Sequence, residues 1–162
     1  MMLSFLPMSH AGALELAHWR YPAPYDYYNI ADEPTLLASF LASPQYGYFA
    51  IYAAANDLVA FCCFGDEAQV PGGDYPAAAL DVGLGVRPDL TGRGQGLVYL
   101  NAILNFADQQ FGPGARRLTV ASFNARAIRL YQRAGFVAIQ HFTASFSGRP
   151  FVVMGRDAGG AG

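Results

Sequence analysis

A chain of 162 residues, 53% hydrophobic and only 14% charged, has the length of one domain and the reverse of a disordered composition. A single folded domain over residues 1–157 is therefore expected, with a frayed tail at 158–162. The formal net charge of −2 announces no nucleic-acid partner, no run approaches the roughly 18 uncharged apolar residues of a membrane span, and Met1–Pro7 lacks the cationic flank of a secretion signal, which together predict a cytoplasmic protein with no membrane partner.

Residues 3–6 form a short apolar segment, and residues 10–19 are expected to form a helix. Arg20 to Asn29 holds two prolines and four tyrosines, which resists a long helix and supplies amphipathic surface: either a packed loop or a wall of a substrate pocket. Asp32 reads as an N-cap, with Pro34 just inside a short helix over residues 35–41. Strands follow at 46–54 and 58–64, antiparallel neighbours around a turn at Asn56-Asp57. Residues 65–75, with Pro71, Gly72, Gly73, Asp66, Glu67 and Asp74, form a polar loop. A third strand at 78–86 runs directly into a glycine-rich junction. Beyond it, Leu97, Leu100, Leu104, Ala107 and Phe111 recur three or four apart and mark one buried helix face, which Gly112-Pro113-Gly114 stops. A short alternating strand at 117–122, a helix at 124–134 closed by Gly135, and a hairpin of 136–146 with 151–154 complete the chain. No internal repeat and no linker divides it.

The two cysteines, Cys62 and Cys63, are adjacent on a strand and point to opposite faces, which excludes both a disulfide scaffold and a CxxC metal site. His10, His18 and His141 show no ligand spacing, and no metal is predicted. All ten cations are arginine. Residues 1–81 hold nine acids against Arg20, a net −8, and residues 82–162 hold nine arginines against three acids, a net +6. One half suits a cation and the other an anion, unless the excess is spent on solvated surface and on ion pairs between the halves.

The junction at residues 87–96 carries the chemistry. A strand that feeds a glycine-rich turn and then a helix aims free backbone amides and the positive end of the helix dipole at one point, where a phosphate binds. Glycines at 92, 94 and 96 let the backbone approach an oxygen closely. The triphosphate loop GxxxxGK[ST] is excluded because the chain has no lysine, and the dinucleotide pattern GxGxxG fails at Leu97 counted from Gly92 and at Pro88 counted from Gly83. By itself the turn is equally a tight strand-to-helix connection.

The stretch Val86-Arg87-Pro88-Asp89-Leu90-Thr91-Gly92-Arg93-Gly94-Gln95-Gly96 resembles the acetyl-coenzyme A motif of the GCN5-related N-acetyltransferases (GNAT family), [QR]-x-x-G-x-[GA] at the start of the central helix. Thr91 departs from the usual Gln or Arg, a contact that Arg87 or Arg93 would have to replace. A second stretch, Leu118 to Phe136, is similar to that family's strand followed by N-x-x-A-x-x-x-Y (Asn124, Ala127, Tyr131) and G-F (Gly135-Phe136). The likeness is good over about residues 46–146 and rests only on element order before that.

The resemblance implies an α/β fold, a mixed and mostly antiparallel twisted sheet of about six to seven strands with about four helices. It further implies transfer of the acetyl group of acetyl-CoA to a primary amine, of a small molecule or a protein N-terminus, by direct attack. Pyrophosphate would lie on the backbone of Thr91, Gly92, Arg93, Gly94, Gln95, Gly96 and Leu97. Pantetheine would pair with Leu84, Gly85 and Val86 where their strand parts from the one starting near Arg117, with the Val86 amide as oxyanion donor. Gly83 and Gly85 otherwise avoid a packing clash. Asn124 contacts pantetheine, caps its own helix, or does both. Tyr131, two turns on, is the implied acid for the CoA thiolate, a phenol of ordinary pKa near 10; otherwise it is a core tyrosine. Arg126, Arg129 and Arg133 reach phosphates or form a solvated face. Asp81 is either the general base through water or a structural acceptor, with Asp66, Glu67 and Asp74 as alternative bases. Tyr25, Asp26, Tyr27 and Tyr28 are the residues expected in the acceptor pocket. The rival readings are a non-catalytic CoA-binding module of the same fold and an unrelated phosphate-binding domain. The oligomeric state is open, a homodimer included.

Overall fold

The computed structural model describes residues 2–29 and 33–158. The chain divides into two compact units, Met1–Cys63 with Leu84–Tyr99, and Phe64–Gly83 with Leu100–Gly162. Its strands form a seven-stranded open sheet in the order β1-β2-β3-β4-β5-β7-β6.

In the first unit β1 (Ser4–Pro7) pairs antiparallel with β2 (Phe49–Tyr52), which pairs antiparallel with β3 (Leu58–Phe64) in the register Phe49↔Cys62 to Tyr52↔Leu58. Asn56 adopts φ +65°, and crossed bonds join Ala53 N–H to Asp57 O and Asp57 N–H to Ala54 O at 3.0 Å. The Asn-Asp turn is thus present, because asparagine tolerates the left-handed region. The strand expected at 46–54 is shorter at both ends: residues 44–46 make a 3-10 turn after Ser43-Pro44, and Gly47 at φ +65° breaks extension before Phe49. Helix α1 (His10–Ala17) starts at Ser9, whose Oγ accepts from Gly12 N–H at 3.0 Å. Helix α2 (Pro34–Leu41) follows Glu33; the expected cap Asp32 lies outside the described residues. Ala13, Leu16 and Trp19 from the α1 side, Ala38 and Leu41 from α2, and Ala50 and Leu58 from the sheet form one apolar core.

β4 (Leu80–Val86) begins in the second unit, where it runs parallel to β5 (Arg116–Ala121) in the register Leu80↔Arg116, Asp81↔Arg117, Val82↔Leu118, and its last three residues belong to the first. β7 (Pro150–Arg156) is antiparallel to β5 and to β6 (Val137–Thr143). Between β5 and β6 lies α4 (Ala125–Arg133), and α3 (Gly96–Phe111) precedes β5. β5 is not the alternating strand its sequence suggests: five of its six residues are buried. Neither of its faces is left to solvent, and its two arginines are paired inside the fold. On α3, Leu100, Ile103, Leu104 and Ala107 are buried as the spacing predicts, but Phe111 is 55% exposed. The helix ends at Gly112 (φ +79°), and the Phe111 ring turns toward Phe64, centroids 5.2 Å apart. Arginines close two helix ends: Arg116 donates to Gly112 O after α3, and Arg156 donates to Ala134 O after α4 at 3.0 Å. Each places a cation at the negative end of a helix.

Candidate active site

β4 ends in three half-buried residues, Leu84, Gly85 and Val86. A Cβ on Gly85 would collide with the Phe61 ring, so this glycine is required by packing against β3. The next peptide is held at both ends. Arg87 N–H donates to Val59 O at 2.8 Å, and the Val86 carbonyl accepts from the Tyr21 hydroxyl at 2.7 Å.

The Arg87 guanidinium is spent on structure: Nη1 reaches Asp57 Oδ1 at 2.8 Å and Leu58 O at 2.9 Å, and Nε reaches Asp89 Oδ1 at 2.7 Å. The hydrogen bond from Arg87 holds the Asp89 carboxyl below the usual carboxylate range, and the same bond raises the Arg87 pKa. This arginine braces the hairpin turn against the short 3-10 turn Pro88–Leu90 and so does not replace the missing motif side chain. Thr91 does not replace it either, since its Oγ1 donates to Pro88 O at 2.7 Å. Arg93 is exposed on the loop itself.

The loop then turns through two left-handed glycines, Gly92 at φ +72° and Gly94 at φ +74°, and Gly96 opens α3 behind Gln95, whose carbonyl accepts from Val98 N–H at 3.0 Å. Both glycines are demanded by backbone conformation. A Cβ on Gly94 would meet no atom within 4 Å, so the face it leaves open has room for a ligand oxygen. The first amides of α3 and its positive dipole end follow at once. This arrangement fits an anion held by main-chain nitrogens.

The tyrosine-rich segment folds back on itself. Residues Tyr25–Tyr28 form a 3-10 turn, Asn29 N–H donates to Asp26 O at 3.0 Å, and Asn29 Oδ1 accepts from Tyr21 N–H at 2.6 Å. Tyr28 packs edge-on to Tyr21 (6.4 Å) and to Tyr27 (5.4 Å), while Asp26 is exposed. All four residues expected in an acceptor pocket are therefore on one turn that Tyr21 ties to the end of β4. Tyr21 itself was not legible as a site residue: its partner lies 65 positions away, and only its place among the tyrosines hints at a role. Burial pushes its phenol up to about 12.

In the second unit Asn124 is the N-cap of α4, its Oδ1 accepting from Ala127 N–H at 3.0 Å. Tyr131 is 8% exposed, with its ring centroid 6.4 Å from that of Phe136. Arg129 and Arg133 are exposed, and Arg126 and Ala127 are half-buried. Asp81, 3% exposed, forms a two-pronged pair with Arg117: Nε to Oδ1 at 2.7 Å and Nη2 to Oδ2 at 2.9 Å. Gln69 Nε2 adds a third donor at 2.9 Å. Arg117 lies over the Tyr75 ring at 5.5 Å, and the hydrogen bond it donates to Asp81 raises its pKa. This pairing supports the structural-acceptor alternative for Asp81, because the carboxylate already serves a buried cation.

The sequence model of the acetyltransferase (GNAT) family matches residues 13–136. The chain belongs to the GNAT acetyltransferase family. No curated protein sequence matches this GNAT chain. Among solved structures it is similar to a chimera of spermidine N-acetyltransferase SpeG from Vibrio cholerae and hSSAT, at TM-score 0.70 and 17% identity over 97% of this chain and 96% of that one. It is also similar to AAC(6')-Ib in complex with ribostamycin and coenzyme A (TM-score 0.71, 15% identity, 97% and 94% covered). A third is yncA from Salmonella typhimurium with its cofactor acetyl-CoA (TM-score 0.61, 18% identity, 96% and 93% covered). At these identities the likeness is one of GNAT fold. Among the described residues no helix is long and apolar enough to cross a membrane.

Proposed function

We propose that the protein transfers the acetyl group of acetyl-CoA to a primary amine of a small molecule or a protein N-terminus. The observation that carries this reading is the loop with Gly92 and Gly94 in left-handed conformation at the mouth of α3, in a chain of the acetyltransferase family. Main-chain nitrogens from Thr91 to Leu97 hold the pyrophosphate, with Arg93 adding charge. Leu84, Gly85 and Val86 present backbone to the pantetheine arm, and on α4 Asn124, Ala127 and Arg133 complete the donor contacts. A neutral amine attacks the thioester carbonyl carbon, and the Val86 N–H stabilises the oxyanion. Collapse breaks the C–S bond, the thiolate takes the Tyr131 proton, and the proton lost by the new amide's nitrogen passes to water and restores the phenol. The Tyr25–Tyr28 turn, with the Asp26 carboxylate, receives the acceptor as a cation before it is deprotonated.

No carboxylate is assigned as base. Asp81 is committed to Arg117, and the amine reaches the site already neutral or loses its proton through water. That same commitment favours one rival, a CoA-binding module without turnover. Calorimetric titration with acetyl-CoA, paired with a thiol-release assay over an amine panel, decides between them. Tight binding with amine-dependent thiol release is expected. Binding without release on any amine selects the module, and no preference for CoA over simple nucleotides removes both.

A further inference from the structure

We propose that Tyr21 is a positioning residue for the acetyl end of the donor site: by holding the Val86 carbonyl it sets the direction of the Val86 N–H and couples the tyrosine turn to the thioester. The inference rests on the reading of Val86 as oxyanion donor. Its geometry is independent of that reading. The peptide between Val86 and Arg87 is rigid and planar, and it is clamped at both ends, by Tyr21 Oη on its carbonyl at 2.7 Å and by Val59 O on its N–H at 2.8 Å. The preceding peptide, which carries the Val86 N–H, hangs between this clamp and Gly85, a residue with little torsional preference of its own. The clamped side therefore helps to fix the direction of that N–H.

Tyr21 is suited to the task. Its phenol stays protonated, and so remains a donor, throughout the neutral range, since burial raises its pKa. Its main chain is pinned by Asn29 Oδ1 at 2.6 Å, and its ring meets Tyr28 edge-on. The turn expected to seat the amine and the peptide expected to seat the acetyl carbonyl therefore share one side chain.

Titration of the wild type and Tyr21→Phe with acetyl-CoA and with CoA tests this without depending on turnover, because CoA lacks the thioester carbonyl proposed to accept from the Val86 N–H. The wild type is expected to prefer acetyl-CoA. Tyr21→Phe, which keeps the ring and its packing, is expected to bind CoA unchanged and to lose about 3–10-fold of that preference, the range of one hydrogen bond. In turnover its kcat/KM for acetyl-CoA falls, and Asn29→Ala shifts the preference in the same direction. A purely structural tyrosine would lower the melting temperature and leave the acetyl-CoA to CoA ratio intact. That result, or a wild type that binds the two equally, overturns the inference while the CoA-binding reading stands. A wild type that binds neither overturns both.

Discussion

Gly94 separates a phosphate loop from a mere connection. At φ +74° an aspartate is tolerated better than most residues, and its side chain would point into space free of neighbours, so Gly94→Asp should fold. It also places a carboxylate where the reading seats a diphosphate, and CoA binding should disappear from the calorimeter while circular dichroism is unchanged. An unaltered Kd would dissociate the loop from the cofactor. Tyr131→Phe probes the other end of the donor: CoA affinity is retained and kcat falls about 100-fold or more, the usual range for loss of a general acid. Normal kcat in the Phe variant returns Tyr131 to the core beside Phe136. Asp81→Asn leaves the buried Arg117 guanidinium without its counter-charge and should cost about 3–5 kcal/mol in urea unfolding. Its pH–rate profile should keep the wild-type shape wherever the variant remains folded, whereas loss of the acidic limb, where a base becomes protonated, would point to Asp81 as the base. The carboxylate was legible from its strand. Its partner, 36 residues on, was not, because strand pairing across a crossover leaves no local pattern.

Elements bounded by turn-forming residues were the most legible. β3 spans Leu58–Phe64 as expected, since Asp57 ends the turn before it and Gly65 (φ +78°) stops it. α4 begins after Asn124, whose side chain performs the cap its position suggested. Legibility fell where tertiary neighbours decide. The two-sided burial of β5 comes from tertiary packing that its own sequence does not show, and Phe111 keeps the helical spacing yet lies at the helix end, where Gly112 has already turned the chain. Gly85 shows how packing fixes the end of β4. Its missing side chain is filled by Phe61, which also meets Trp19 at 6.3 Å, so β3 and the end of β4 approach through a glycine and an aromatic ring. Gly85→Ala should lose about 1–3 kcal/mol by overpacking. Phe61→Leu, destabilising alone, should recover part of that loss when the two are combined. A double-mutant cycle by chemical denaturation reads the coupling directly, and strictly additive effects would contradict the contact.

For the chain as a whole, the uneven charge is partly neutralised inside the fold. Among the described residues, Arg87 with Asp57 and Arg117 with Asp81 each join an acid of residues 1–81 to an arginine of residues 82–162, so ion pairing between the halves takes up part of the excess. Exposed charge of both signs is left: Arg93, Arg129 and Arg133 on one side of the ledger, Glu15, Asp26, Glu33, Asp66 and Asp74 on the other. The proposed donor is a polyanion and the proposed acceptor arrives as an ammonium, so both encounters gain from charges in water, where screening is strong. Raising salt from about 10 mM to about 1 M shortens the Debye length from about 30 to about 3 Å. Over that range KM should rise for acetyl-CoA and for a cationic amine, with kcat nearly constant, since salt screens the approach and not the buried chemistry. Arg93→Ala should weaken CoA binding at low salt and flatten its salt dependence, while leaving the salt dependence for the amine as it was. If acetyl-CoA binding is indifferent to salt in the wild type, the arginines do not contribute to capture, and the loop must hold its anion by main-chain amides alone.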